Sequence, residues 1–195
     1  FDQMLFYLPL SGSTFKKVYY DALLGRAVSK FVPADDLIVP YSANSLEDAE
    51  AVIQVIKISE NELRKQQVSG FYSDIELGDP PVIENQLKET ELRLEGIAKD
   101  GQEDQYTLYE IHTDLDLEGY EDRDADGEET GIKLPYVITV AQSNQKILSI
   151  RRNYRPEEKL RKKINYFVQF KFLPGTGFYG FGLIHMIGGL TRTAT

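Results

Sequence analysis

An acidic segment at residues 122–129 contains the residue types that bind calcium. It reads DRDADGEE, so carboxylates alternate with other residues up to a glycine in the sixth position. This spacing matches the first half of an EF-hand loop, in which side-chain oxygens at positions one, three and five surround the ion. The twelfth position, where an EF-hand has a bidentate glutamate, holds Lys133, and strands are predicted on both sides. A solvated hairpin tip is therefore the favoured interpretation, with weak candidate ligands at Asp122, Asp124, Asp126 and Glu128.

A glycine-rich segment at residues 174–182 matches a dinucleotide-binding fingerprint in spacing. Gly175, Gly177 and Gly180 form the pattern G-x-G-x-x-G between a strand-like and a helix-like run. Phosphate binding by this pattern requires the first strand of a parallel sheet and an acidic residue about 20 positions later. Here the pattern follows a strand predicted to be antiparallel, and it contains the bulky Phe178 and Tyr179. We therefore interpret the segment as a turn or hinge, and we predict no cofactor.

The two histidines are candidates for metal binding or for acid–base catalysis. His112 shares one face of a predicted strand with Glu110, Asp114 and Asp116, because alternate residues of a strand point to the same side. We predict that this polar row faces solvent, as the outer face of a half-buried strand does. His185 stands among apolar residues and is predicted to pack or to lie in an interface. No nucleophile–histidine–acid arrangement stands out, so the sequence predicts no catalytic site and no enzyme.

Composition excludes several further classes of site. The 195 residues include no cysteine, which removes disulfides, thiolate zinc sites and iron–sulfur clusters. The formal charge is −9, with 31 acidic and 22 basic residues, so the basic footprint of a sequence-specific DNA-binding protein is missing. Basic residues cluster locally at 16–17, 151–152 and 155–163. No apolar stretch is long enough to span a bilayer, so we predict no membrane partner.

The elements that would position these residues alternate between strands and helices in the first half of the chain. Strands are predicted at 4–8, 15–20 and 51–58, and an edge strand at 37–39 is short at most. Ser59 and Glu62 form a capping box that begins a helix extending to about residue 69. A second helix is predicted from residue 79, where an Asp-Pro pair can cap it, to about residue 99.

The second half of the chain is predicted to be an antiparallel meander. Residues 106–117 alternate with period two, a tight hairpin at 142–145 joins strands 134–141 and 146–152, and a fourth strand covers 164–172. The predicted class is α+β: an antiparallel β meander with a two-helix insertion and the start of a further helix at 183–195. Residues 1–182 form one α+β region in this interpretation, with strands in 4–58, helices in 59–99, antiparallel strands in 105–173 and a glycine–aromatic junction at 174–182.

Several longer blocks of the sequence share a resemblance to one family. They read LPLSGSTFKK (8–17), VPADD (32–36), SGFY (69–72), NYRPE (153–157), YFVQFKFLPG (166–175), GFYGFGLIH (177–185) and GGL (188–190). In these blocks the chain resembles the portal, or head-to-tail connector, proteins of short-tailed bacteriophages. The blocks are spread over most of the chain, so the resemblance is more specific than the glycine spacing alone. The helix pair at 59–99 and the acidic loop match no motif of that family.

The resemblance implies a ring of about twelve subunits at one capsid vertex of the virion, assembled in the host cytoplasm. Terminase pumps DNA in through such a ring, and the DNA later leaves through it to the tail. The implied partners are other copies of the chain, terminase, capsid and scaffold proteins, a tail adaptor, and DNA that passes without sequence-specific binding. Portal proteins are considerably longer than this chain, so we expect an internal fragment in which residues 1–182 form much of the outward wing.

Two other hypotheses come from different functional classes. The first is a calcium-dependent binding module built on the acidic loop at 122–129. The other is a nucleotide-dependent oxidoreductase built on the glycine pattern at 175–180, and it ranks below both the portal protein and the calcium-dependent module. Calcium binding, nucleotide binding and ring formation are the observations that would discriminate among the three.

Overall fold

The fold mixes helices with antiparallel strands and is of the α+β class, as predicted. A computed structural model of the chain describes residues 2–21, 24–78, 105–123, 126–158 and 160–194. The helix predicted at 79–99 lies outside these residues. In chain order the elements are α1 (Asp2–Ser11), β1 (Ser13–Asp21), β2 (Arg26–Pro33), a 3₁₀ turn (Ala34–Asp36), β3 (Leu37–Ile38), β4 (Ala51–Ser59), α2 (Glu60–Val68), β5 (Gln105–Leu115), β6 (Leu134–Ala141), β7 (Ile147–Arg152), β8 (Phe167–Lys171) and α3 (Leu183–Ala194).

The described strands form two sheets. The first has the order β2-β1-β8, and β1 is antiparallel to both neighbours, with Thr14 opposite Pro33 on one side and Phe170 on the other. The second has the order β3-β4-β5-β6-β7. The short β3 lies at its edge, as predicted, and β5, β6 and β7 are neighbours in chain order, as expected of a meander. β8 was predicted as the fourth strand of that meander but pairs with β1 instead.

The strand predicted at residues 4–8 is wrong, because these residues belong to α1. Their apolar run does not alternate, and such a run cannot be assigned to a strand or a helix by periodicity. The last turn of the helix is closed by the amide of Gly12, which donates to the carbonyl oxygen of Leu8 at 2.9 Å. The Ser11 hydroxyl also donates to the carbonyl oxygen of Tyr7. Gly12 then ends the helix with a φ of +86°, which is the left-handed cap that glycine favours.

β2 was not predicted, and the burial of its residues explains why. Val32 is the only buried residue of this strand, so apolar and polar side chains do not alternate along it. Period-two alternation arises when one face of a strand is buried and the other is solvated. A strand with two mostly exposed faces lacks this signal and is held here by its antiparallel pairing with β1.

The chain divides into two compact units. The first comprises Phe1–Gln54, His112–Tyr136 and Arg152–Thr195. Its core lies between β1, β8 and the segments that lead into β4, and Phe15 is completely buried there. The buried core residues are Phe15, Val32, Leu37, Ala43, Ala49, Val52, Phe167 and Phe178. Within this unit α1 contacts β1, β2 and α3.

The second unit comprises Val55–Ile111 and Val137–Arg151. Its core contains side chains from α2, the segment after α2, β5, β6 and β7, namely Leu63, Tyr72, Leu77, Tyr106, Leu108, Ala141 and Leu148. The predicted helix start is confirmed, because the Ser59 hydroxyl accepts a hydrogen bond from the amide of Glu62 at 3.4 Å. The predicted hairpin is also confirmed: the amide of Ala141 donates to the carbonyl oxygen of Lys146 at 3.0 Å, and Gln145 makes the turn with a φ of 55°.

Candidate functional site

The acidic loop holds Asp122 by bonds within the protein. Its carboxylate forms an ion pair with Arg161 and accepts a hydrogen bond from the hydroxyl of Thr130 at 2.7 Å. Arg123 and Glu129, which adjoin Asp122 and Thr130 in sequence, form an antiparallel bridge. Their side chains make an ion pair at 3.3 Å. These contacts close the loop in the manner of a hairpin tip.

The four candidate calcium ligands do not form a cluster in the part of the loop that the structure describes. Asp124 lies outside the described residues. Asp126 and Glu128 are exposed, whereas the side chain of Asp122 is only 13% exposed because Arg161 covers it. Among the described residues there is no group of three or more acidic, histidine or cysteine side chains that could hold a metal ion.

The polar row of β5 is divided between the interior and solvent, so the prediction of a solvent-facing row is wrong for half of it. Glu110 and His112 are buried, whereas Asp114 and Asp116 are exposed. The buried face begins with Tyr106 and the fully buried Leu108, which share the side of Glu110 and His112. The apolar side chains at the start of the strand therefore indicate correctly which face of β5 is buried.

His112 occupies an aromatic environment in the first unit. Its ring centroid lies 5.2 Å from that of Phe167 in an edge-to-face arrangement and 5.5 Å from that of Tyr166. Beside it a cavity of about 20 Å³ reaches the buried Asn153, whose side-chain oxygen has no hydrogen-bond partner among the described residues. A cavity of this size holds one water molecule. His112 is therefore a packed side chain next to a water-sized cavity.

Glu110 belongs to a buried polar cluster in the second unit. Burial raises the pKa of the Tyr72 hydroxyl to about 12, and the negative charge of Glu110 contributes in the same direction. The positive charge of Arg151 opposes this shift, and its guanidinium lies 3.8 Å from the centroid of the Phe71 ring. A tyrosine that holds its proton this firmly is a poor general base at neutral pH.

The glycine pattern marks a close approach of two backbone segments. The amide of Phe172 donates to the carbonyl oxygen of Gly12 at 3.0 Å, and the amide of Gly180 donates to the Ser13 hydroxyl at 2.7 Å. A Cβ atom on Gly180 would lie 2.6 Å from the carbonyl oxygen of Gly12. A Cβ atom on Gly182 would overlap the carbonyl oxygen of Leu10 and would lie 2.5 Å from the amide nitrogen of Gly12. The requirement for glycine at 180 and 182 therefore has a packing explanation that involves no phosphate.

His185 stabilises the first turn of α3. Its Nδ1 atom accepts a hydrogen bond from the amide of Gly182 at 3.1 Å, as a side chain in the first turn does when it reaches back to the cap. Its ring also lies edge-to-face with Phe181, with centroids 6.0 Å apart. The residue is exposed and contacts local structure, in partial agreement with the packing role predicted for it.

No site was predicted at the basic cluster 155–163. In the structure Arg161, Lys162 and Lys163 line a cavity together with Lys133. Lys133 lies outside that cluster in sequence, and it reaches the cavity because of the path that the chain takes after the acidic loop. Only the run of basic residues was visible in advance.

Comparison of the sequence with protein-family models finds no matching family, and comparison with curated proteins finds no matching sequence. In the described part of the chain, no helix has the length and apolar character needed to cross a bilayer.

Proposed function

We propose that this chain is part of a bacteriophage portal protein, the ring at one capsid vertex through which DNA is packaged and ejected. The observation that carries the proposal is the convergence of the blocks that resemble portal proteins. Residues 8–17 contain the first part of β1 and residues 166–175 contain β8, and Ser13–Lys17 pair with Phe167–Lys171. Phe15 from the first block stacks on Phe178 from the block at 177–185. Blocks that are far apart in sequence thus build one core, as expected if the resemblance reflects a shared structure.

Exposed apolar side chains on α1 and α3 also support a role in an assembly. The two helices contact each other, and Phe6 and Ile184 are more than half exposed. The exposed apolar residues of these helices are Leu5, Phe6, Tyr7, Leu10, Leu183, Ile184, Met186 and Ile187. An apolar patch on a surface marks an interaction site, and subunits of a closed ring contact each other through two different patches that repeat around the ring. We assign this α1–α3 patch to a contact with a neighbouring copy.

The acidic character of the chain is compatible with the passage of DNA. A net charge of −9 repels phosphate groups, and this repulsion weakens adhesion of a duplex to the ring. The proposed protein is therefore a structural channel component in the virion with no catalytic step. Its partners would be other copies, terminase, capsid and scaffold proteins and a tail adaptor.

The calcium-binding alternative has less support. Calcium would need the carboxylate oxygens of Asp122, and these already contact Arg161 and Thr130. Displacing a guanidinium from a largely buried carboxylate opposes binding of the ion.

The test measures the assembly state of the protein expressed from its complete gene, by light scattering and negative-stain electron microscopy. We expect closed rings of about twelve subunits. Ile184→Glu should reduce ring formation because it places a charge in the α1–α3 patch. Val68→Glu is the matched control, since Val68 is an exposed apolar residue of α2, outside that patch. A protein that remains monomeric and associates with no capsid component would overturn the proposal.

A further inference from the structure

A cavity of about 320 Å³ lies in the first unit beside the start of β6. Its size is at the small end of the range for sites that bind small organic molecules. One part of its wall is apolar and contains Ile132, Leu134, Pro135 and Leu160. The other part is charged and contains Asp114, Asp122, Lys133, Arg161, Lys162 and Lys163.

The charged wall has a surplus of two positive charges, since four cationic side chains face two carboxylates. Arg161 is paired with Asp122, and the ammonium group of Lys163 donates to the carbonyl oxygen of Ala49 at 2.7 Å. Lys133 and Lys162 form no ion pair or hydrogen bond among the described residues. Lys133 and Lys162 therefore offer two ammonium groups that are available to a ligand.

The backbone at Arg161 is strained. Its φ of 42° lies in the left-handed region, which side chains other than glycine rarely adopt. Gln145 is the other described non-glycine residue with a positive φ, and it lies in the β6–β7 hairpin turn, where such a value is common. Arg161 ends a turn in which its amide donates to the carbonyl oxygen of Glu158 at 3.1 Å, and in this conformation the residue lines the cavity.

We propose that this cavity binds a phosphate group. Lys133 and Lys162 would contact the phosphate oxygens as point charges, and Arg161, held in place by Asp122, would donate its remaining N–H groups. A phosphate monoester carries a charge between about −1.5 and −2, which matches the surplus on the wall. A carboxylate carries a single charge and would leave one ammonium group unpaired. This inference is independent of the portal proposal.

Two sources could supply the phosphate. A small phosphate monoester with an apolar body fits the volume of this open cavity and its apolar lining at Ile132 and Leu160. The backbone of a nucleic acid offers the same chemistry, with one charge on each phosphate. The size of the cavity and its charge favour the monoester.

The experiment measures binding by isothermal titration calorimetry and by ¹H–¹⁵N NMR, with phenyl phosphate, benzoate and a short DNA duplex as probes. We expect phenyl phosphate to bind more tightly than benzoate and to shift the amide signals of Lys133, Arg161 and Lys162. Lys133→Gln and Lys162→Gln should each weaken binding by about ten-fold or more. Lys57→Gln removes an exposed charge from β4 and is the matched control.

Variants that retain the charge test whether the lysines act through their positive charge. Lys133→Arg and Lys162→Arg should keep affinity within a few-fold of the original, and circular dichroism verifies that each variant is folded. Duplex binding that is lost in the Gln variants, without phenyl phosphate binding, would support a phosphate site and identify nucleic acid as the source. The proposal is overturned if neither phenyl phosphate nor the duplex binds. It is also overturned if both bind the Gln variants as tightly as they bind the original protein.

Discussion

The rings of Phe15 and Phe178 stack in the first unit, with centroids 5.8 Å apart and an angle of 18° between their planes. Both side chains are buried, and Phe15 is completely so. Offset stacking of this kind contributes about 0.5–1.5 kcal/mol beyond the burial of apolar area. The pair joins β1 to the glycine–aromatic junction, so the stability of the unit should depend on both rings.

Phe178→Ala should lower the free energy of unfolding by about 3–5 kcal/mol, because it removes a buried aromatic ring and leaves a cavity. Urea denaturation followed by circular dichroism measures the change. Phe6→Ala is the control for loss of a phenyl ring from the surface, since Phe6 is 68% exposed, and it should cost less than about 1 kcal/mol. Equal losses in the two variants would contradict the packing described for Phe178.

Gly12→Ala should be more destabilising than Gly70→Ala by about 2 kcal/mol. Both glycines have a positive φ, so both substitutions carry the cost of about 1–2 kcal/mol for a side chain in the left-handed region. A Cβ atom on Gly12 would also overlap the backbone of Gly180 and Gly182, whereas one on Gly70 would meet no atom within 4 Å. Thermal or urea unfolding of both variants gives the comparison. Similar stabilities would show that the two segments can separate at little cost.

Stability should decrease between about pH 10 and pH 12 as Tyr72 is forced to ionise. Burial raises its folded-state pKa to about 12 from 10.0 in the unfolded chain, so the folded protein retains the proton more firmly. The contribution is fully present below pH 10, and it is lost as the pH rises through the folded-state pKa. Two units of pKa correspond to roughly 2–3 kcal/mol.

Absorbance at 295 nm as a function of pH measures this ionisation directly. Tyr72→Phe should remove one tyrosine from the step near pH 12. The same step should be absent when the protein is unfolded in urea, because the shift depends on burial. If the substitution leaves the titration near pH 12 unchanged, the assignment to Tyr72 is wrong.

Millimolar calcium should leave the thermal midpoint of the protein unchanged. The carboxylate of Asp122 is occupied by Arg161 and Thr130, and a ligand raises the midpoint only when it binds the folded state. Differential scanning fluorimetry with calcium, and with magnesium as the control cation, measures the effect. A rise specific to calcium would favour the calcium-dependent module at 122–129.

The sequence predicted those elements whose signals are local. The capping box at Ser59 and Glu62 and the hairpin at 142–145 depend on neighbouring residues and are confirmed. The α+β class followed from the succession of such elements. The prediction at residues 4–8 was wrong because a continuous apolar run is compatible with a helix or a strand. As a helix, this segment contacts β1 and α3, and local sequence does not encode such tertiary contacts.

The candidate sites were harder to predict because they depend on partners distant in sequence. The pairing of β8 with β1 cannot be read from period-two alternation, which gives the faces of a strand but not its neighbours. Burial of Glu110 and His112 could have been inferred from Tyr106 and Leu108 on the same face. The contact between Asp122 and Arg161 could not have been inferred, because it depends on how the chain folds to bring two distant loops together.

The position of β8 in the three-stranded sheet has a consequence for how the protein is made. β1 and β2 form a hairpin that needs only nearby residues, but the other edge of β1 pairs with residues around Phe170. Ribosomes add about 5–20 residues per second, so β1 waits on the order of ten seconds for this partner. During that interval its free edge can pair with strands of other chains. Synthesis rate and chaperone access, which do not alter the finished sheet, therefore determine how much of the newly made chain reaches it.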